Sequence, residues 1–74
     1  RKRTAEALLQ LQKSYPQKNG HTVIPVTRED LAGMAGTATE TVIRCLSEFK
    51  EDEFIEVNGR EIMILDQKGL ENIQ

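Results

Sequence analysis

Residues 27–50 read TREDLAGMAGTATETVIRCLSEFK, and this stretch decides the fold. Leu31, Ala35, Val42, Cys45 and Leu46 recur at spacings that two crossed helices bury against each other, and Ala32 is small enough to let the helices approach closely. Gly36 marks the corner, where a chain leaving one helix and entering the next needs a positive φ that glycine adopts without a Cβ clash. The spacing predicts one helix over 28–35 and a second from Thr39 to Lys50 or Glu51, with Val42, Cys45, Leu46 and Phe49 inward. Thr39, Glu40, Ile43, Arg44 and Ser47 then share the outward face of the second helix, where function is expected.

Upstream, Thr27 with Asp30 three residues later forms a weaker version of a capping box, whose usual second member is Glu or Gln. Before it, Val23-Ile24-Pro25-Val26 has strand character, and Pro25, which has no N–H to give a ladder, places that strand at an edge or at a strand end. Gln17 to Thr22 is polar, contains Asn19-Gly20 and reads as a loop, with His21 a solvated loop histidine. Ala5, Leu8, Leu9, Leu11 and Tyr15 recur at helical spacing from about Lys2 to Tyr15, and Pro16 stops that helix. Its leucines belong to the core, since so short a pattern cannot sustain a coiled-coil seam.

Downstream, Phe54 to Val57, Asn58-Gly59 and Arg60 to Leu65 form a hairpin pattern, with Asn-Gly as the turn pair. A lone hairpin is marginal, so it must pack on the helices, with the 23–26 run as a third strand. Asp66 to Ile73 is expected to add a last helical turn or two, capped by Asp66, with Leu70 and Ile73 tucked under the hairpin. Leu8, Leu31, Val42, Leu46, Phe49 and Ile62 are the expected core.

The chain of 74 residues is short enough for one domain, 1–74, close to the lower size limit for a core without staples. One cysteine excludes an internal disulfide, and one histidine beside it excludes a Cys/His zinc cluster within the chain, so no metal and no cofactor is expected. Cys45 is a small buried hydrophobe rather than a nucleophile. No nucleophile–base pair or phosphate loop is present, which argues against an enzyme. No apolar run approaches a membrane span, and no signal-peptide pattern is present, so a cytoplasmic location is expected. The opening RKRTAEALLQ enters a helical pattern at once, as a piece cut from a longer chain would.

Ten Lys plus Arg against twelve Asp plus Glu give a net charge of −2, which disfavours binding nucleic acid by charge alone. Distribution matters more than the total, because counterion release depends on the few cations that reach phosphates. Arg1, Lys2, Arg3, Arg28, Arg44 and Arg60 would have to form a positive face, with Glu51, Asp52, Glu53 and Glu71 away from it.

The order helix, short strand, helix, turn, helix, hairpin is that of a winged helix-turn-helix: mainly α with a small antiparallel sheet, three helices plus a wing. Thr27-Arg28, Leu31-Ala32, Gly36, Glu40-Thr41-Val42 and Arg44, followed by Phe54-Ile55 and Gly59, resemble the C-terminal DNA-binding domain of the cyclic-AMP receptor protein and FNR family of bacterial transcription regulators. The resemblance covers most of the chain and is specific as an ensemble. It implies that Glu40 and Arg44 read bases, flanked by the variable groove positions Thr39 and Ile43, in a half-site with a TGA-like core. It implies phosphate contacts by Thr27, Arg28 and Thr41, and by Asn58 and Arg60 at the wing; Ser47, on the outward face of the second helix, is expected to contact phosphate as well. It also implies double-stranded DNA as partner, RNA polymerase as a candidate further partner, and a homodimer formed through an N-terminal sensor domain and dimerisation helix that these residues lack.

Two positions depart from the family pattern. Ala38 replaces the usual Ser or Thr cap, which is expected to cost about 1 kcal/mol unless Thr37 caps instead, drawing Glu40 into a capping box. Thr39 stands where the cyclic-AMP receptor branch has an arginine, so preference at that base pair should differ. From spacing alone, Glu40 and Arg44 lie one turn apart on one face, which suits base reading but equally an ordinary surface ion pair. A winged helix used for protein–protein contact is the alternative function, suggested by the acidic balance.

Overall fold

The computed structural model describes residues 1–18 and 20–73. Helix α1 (Lys2–Gln12) is followed by strands β1 (Gln17–Lys18) and β2 (His21–Pro25). Helices α2 (Arg28–Ala35) and α3 (Thr39–Glu51) come next, then strands β3 (Ile55–Asn58) and β4 (Glu61–Ile64), and a short helix α4 (Gln67–Glu71). The four strands form one antiparallel sheet in the order β1-β2-β4-β3. The architecture is the expected winged helix-turn-helix; the last helical turns expected after Asp66 form α4, and strand β1 is added to the hairpin and third strand read from the sequence.

Every member of the expected core is buried: Leu8, Leu31, Val42, Leu46, Phe49 and Ile62 are joined by Ile24, Ile55, Ile64 and Leu70. On the sheet, the register sets Ile55 opposite Ile64 and Val57 opposite Ile62, while β2 brings Ile24 against Ile62 and Thr22 against Ile64. This register moves the wing turn. Asn58 pairs with Glu61, so the two turn residues are Gly59 and Arg60 rather than Asn58 and Gly59. A turn at 58–59 would have set Val57 opposite Arg60; the observed pairing aligns two apolar couples on the inner face, and cross-strand packing outweighs the local Asn-Gly preference. Gly59, at φ +59, supplies the positive φ of the first turn position.

Two connections differ from the sequence reading. The polar run before β2 is not all loop: Gln17 and Lys18 pair with Thr22 and His21, and Gly20 sits at the reversal with φ +82. Asn19 lies outside the described residues. His21 is therefore half-buried at the start of a strand, not in a solvated loop. Among the described residues, no strand pairs with the outer side of β2 over Val23 to Pro25, and Pro25 stands at the strand end as expected. Helix α1 stops at Gln12, because its last turn tightens: Ser14 N donates to Leu11 O and Tyr15 N to Gln12 O ahead of Pro16.

Asp66 caps α4 by accepting from Gly69 N at 3.0 Å, and Leu70 is buried where α4 packs on α1. Gly69 has a steric reason to be glycine. A Cβ there would stand 2.5 Å from Phe54 Cε1 and 2.9 Å from the capping Asp66 Oδ2. We expect Gly69→Ala to destabilise the domain by about 1–3 kcal/mol despite the better helix propensity of alanine. Thermal melts of the two proteins check this, and a variant as stable as the wild type or more so contradicts the packing.

Candidate nucleic-acid interface

Helix α2 begins as its sequence predicts, with Thr27 Oγ1 accepting from Asp30 N at 3.1 Å. The hydroxyl hydrogen of Thr27 stays free to donate. At the other end of α2, Gly36 adopts φ 68, ψ 37, and Thr37 N donates back to Ala32 O, closing a Schellman-type stop. Arg3 Nη1 approaches Gly36 O at 3.5 Å, which ties α1 to this corner. The corner sets the angle at which α3 leaves the body of the domain.

Helix α3, about 20 Å long at 1.5 Å per residue, buries Val42, Cys45, Leu46 and Phe49 on one side. Its opposite side exposes Glu40, Ile43, Arg44 and Ser47, with Thr39 and Thr41 half-buried at its start. Ile43 is 45% exposed, an apolar side chain held in water on this outward face. Ala38 is the N-cap and provides no side-chain acceptor, and among the described residues the Thr37 side chain makes no hydrogen bond that would cap the first turn in its place. Among the described residues Glu40 makes no hydrogen bond and no ion pair, and Arg44 likewise stands free. The competition between capping and base reading at Glu40 therefore does not arise, and the surface pair at 40 and 44 is not formed.

At its far end α3 closes with another Schellman arrangement, in which Phe54 N donates to Phe49 O and Glu53 N to Lys50 O. Glu53 takes φ 62 at the position that usually selects glycine or asparagine. Arg1 lies here and not beside Glu40 and Arg44. Its guanidinium is 3.0 Å from Glu48 and 3.6 Å from Asp52, and sits 5.7 Å over the Phe49 ring. The positive face expected from six basic residues thus loses Arg1 to the carboxylates at the end of α3. Lys2, Arg3, Arg28, Arg44 and Arg60 remain, none of them in an ion pair among the described residues. Asn58 and Arg60 are both exposed at the wing, the former closing β3 and the latter within the turn.

A pair of crossed helices with an exposed, hydrogen-bonding second helix and a hairpin beside it defines a winged helix-turn-helix DNA-binding domain. The chain matches the Crp-like helix-turn-helix domain over residues 2–73, and it belongs to the Crp/FNR family of transcriptional regulators. The transcriptional regulator SdrP of Thermus thermophilus is 32% identical over 73 residues, a span of 96% of this chain and 36% of that protein. Among solved structures, a CRP/FNR-family transcriptional regulator from Thermus thermophilus superposes with a TM-score of 0.87 at 32% identity, covering 95% of this chain and 37% of that one. The catabolite activator protein of Thermus thermophilus gives a TM-score of 0.82 at 27% identity, covering 95% and 31%. The chain thus spans about a third of the length of these relatives. Its family makes it a DNA-binding domain of a transcriptional regulator and not an enzyme. No helix among the described residues is long and apolar enough to cross a membrane.

Proposed function

We propose that α3 enters the major groove of double-stranded DNA and reads a half-site, with Arg44 donating to a guanine and Glu40 accepting from a cytosine on the opposite strand. Thr39 and Ile43 complete the base-reading set, Ile43 against a thymine methyl. Thr27, Arg28, Thr41 and Ser47 contact phosphates beside the groove, and Asn58 and Arg60 do so from the wing. The observation that carries this reading is that Glu40 and Arg44, although one helical turn apart, are exposed and unpaired with each other. Two opposite charges left apart at this spacing keep their hydrogen-bonding groups free for a partner with its own donors and acceptors. In the whole protein the reading extends to a cytoplasmic homodimer, joined through a region N-terminal to this chain, with RNA polymerase as a candidate further partner.

The test is duplex binding by this chain over a range of salt concentrations. Affinity for a half-site should be weak and should fall steeply with salt, since each neutralised phosphate contributes about −0.9 to the slope of log K against log salt. Arg60→Ala should weaken all sequences about equally and make the slope shallower by about one. A change in which bases are preferred would mean that the wing reads sequence, and a salt-independent affinity would remove phosphate contact from the account altogether.

A further inference from the structure

Between α3 and the wing lies a cleft of about 110 Å³, lined by Arg28, Ile43, Leu46, Ser47, Lys50 and Val57. Positions 43, 46, 47 and 50 follow the i, i+3, i+4, i+7 spacing of a single helical strip, so one flank of α3 forms the floor of this cleft. Leu46 is buried and Val57 half-buried; they make its apolar base and wall. The polar groups on its lining are two cations and one hydroxyl, with no carboxylate among them. In a chain of net charge −2, two cations on one small cleft free of acids are a local reversal of sign. Lys50 is exposed, and among the described residues it is in no ion pair.

We propose that this cleft seats one backbone phosphate of the DNA, held between Arg28 and Lys50 with the Ser47 hydroxyl donating, which makes Lys50 a DNA-contacting residue. The inference rests on the placement of α3 in the groove given above and adds a contact at the C-terminal end of that helix. The apolar base raises the worth of the charges, because a phosphate lying against Leu46 and Val57 is partly shielded from water. Lys50 acts here as a flexible point charge, which suits a phosphate and carries no base preference. The contact fixes the depth at which α3 sits, so Arg44 and Glu40 meet base edges from a defined height.

The experiment measures duplex affinity against salt for the wild type, Lys50→Gln, Lys50→Arg, Arg28→Gln and the double Arg28→Gln/Lys50→Gln, with thermal melts confirming that each is folded. Lys50→Gln should weaken matched and random duplexes alike, by up to about 8-fold at 0.1 M salt, which is one counterion's share of the salt dependence. The loss should shrink as salt rises, and Lys50→Arg should bind as the wild type does. The double variant should lose less than the product of the two single losses, because both cations serve one phosphate. If Lys50→Gln binds like the wild type at every salt concentration while Arg28→Gln is weakened, Lys50 serves only the helix terminus and the proposal fails, though α3 remains in the groove. Multiplicative losses in the double variant would mean two separate phosphates and overturn the shared seat. A wild type without duplex affinity would overturn both this inference and the function it rests on.

Discussion

Phe49→Ala should be the most damaging single truncation in this domain, costing about 3–5 kcal/mol. Phe49 is fully buried and is among the largest side chains with no exposure. It stands where three parts of the fold meet. Its ring lies 6.5 Å from that of Phe54 at a tilt of 41°, and the Arg1 guanidinium covers it from the N-terminal side. Its carbonyl accepts from Phe54 N at 2.9 Å, the bond that turns the chain from α3 into the wing. Removing the ring leaves a cavity under the junction of helix and sheet, and the exposed ion pairs of Arg1, worth at most about 1 kcal/mol, cannot offset it. Small domains have only about 5–15 kcal/mol of stability in all. The melting temperature should fall by roughly 12–40 °C, given 4–8 °C per kcal/mol at this size. Phe49→Leu should recover most of the loss. A shift under about 5 °C for Phe49→Ala would contradict the placement of α3 on the core.

The two motif helices, their corner and their core were legible because 3.6-residue periodicity and a positive-φ glycine are local signals with one physical reading. Leu31, Val42, Leu46 and Phe49 declare a buried stripe whatever the rest of the chain does, and the structure buries all four. What the sequence missed depends on partners distant along the chain. The wing turn shifted to Gly59-Arg60 because Ile55–Ile64 and Val57–Ile62 pairing decides the register, and no local rule at Asn58 encodes it. Strand β1 is two residues long and polar, so it gives no alternation to read. Glu53 at positive φ is a terminus whose geometry comes from the α3-to-wing connection and not from its own preference. On the candidate interface, the exposed set Glu40, Ile43, Arg44 and Ser47 followed from helical spacing. Arg1 did not: its engagement with Glu48 and Asp52 joins the first residue of the chain to the end of α3. Lys50 was read only as the end of a helix, since the wing that completes its cleft lies several residues further on.

Base reading by α3 rests on Arg44, and one substitution separates reading from mere contact. Arg44 is exposed and, among the described residues, in no ion pair, so replacing it should leave folding stability within about 0.5 kcal/mol. A planar guanidinium donating two hydrogen bonds to guanine O6 and N7 discriminates against the wrong base by about 1–3 kcal/mol. Arg44→Ala should therefore lose that much at the matched site and little on random DNA. Arg44→Lys should recover only part, because a point charge does not reproduce the fork. The decisive measurement is competition binding, with wild type and Arg44→Ala each challenged with the matched half-site and with a half-site in which the single G·C pair under Arg44 is changed. The wild type should prefer the matched site by roughly 5- to 150-fold, the equivalent of those 1–3 kcal/mol, and Arg44→Ala should bind both sites alike. A wild type indifferent to the change, or an Arg44→Ala that weakens every sequence equally, would make Arg44 a backbone contact and contradict the claim that α3 reads sequence through it.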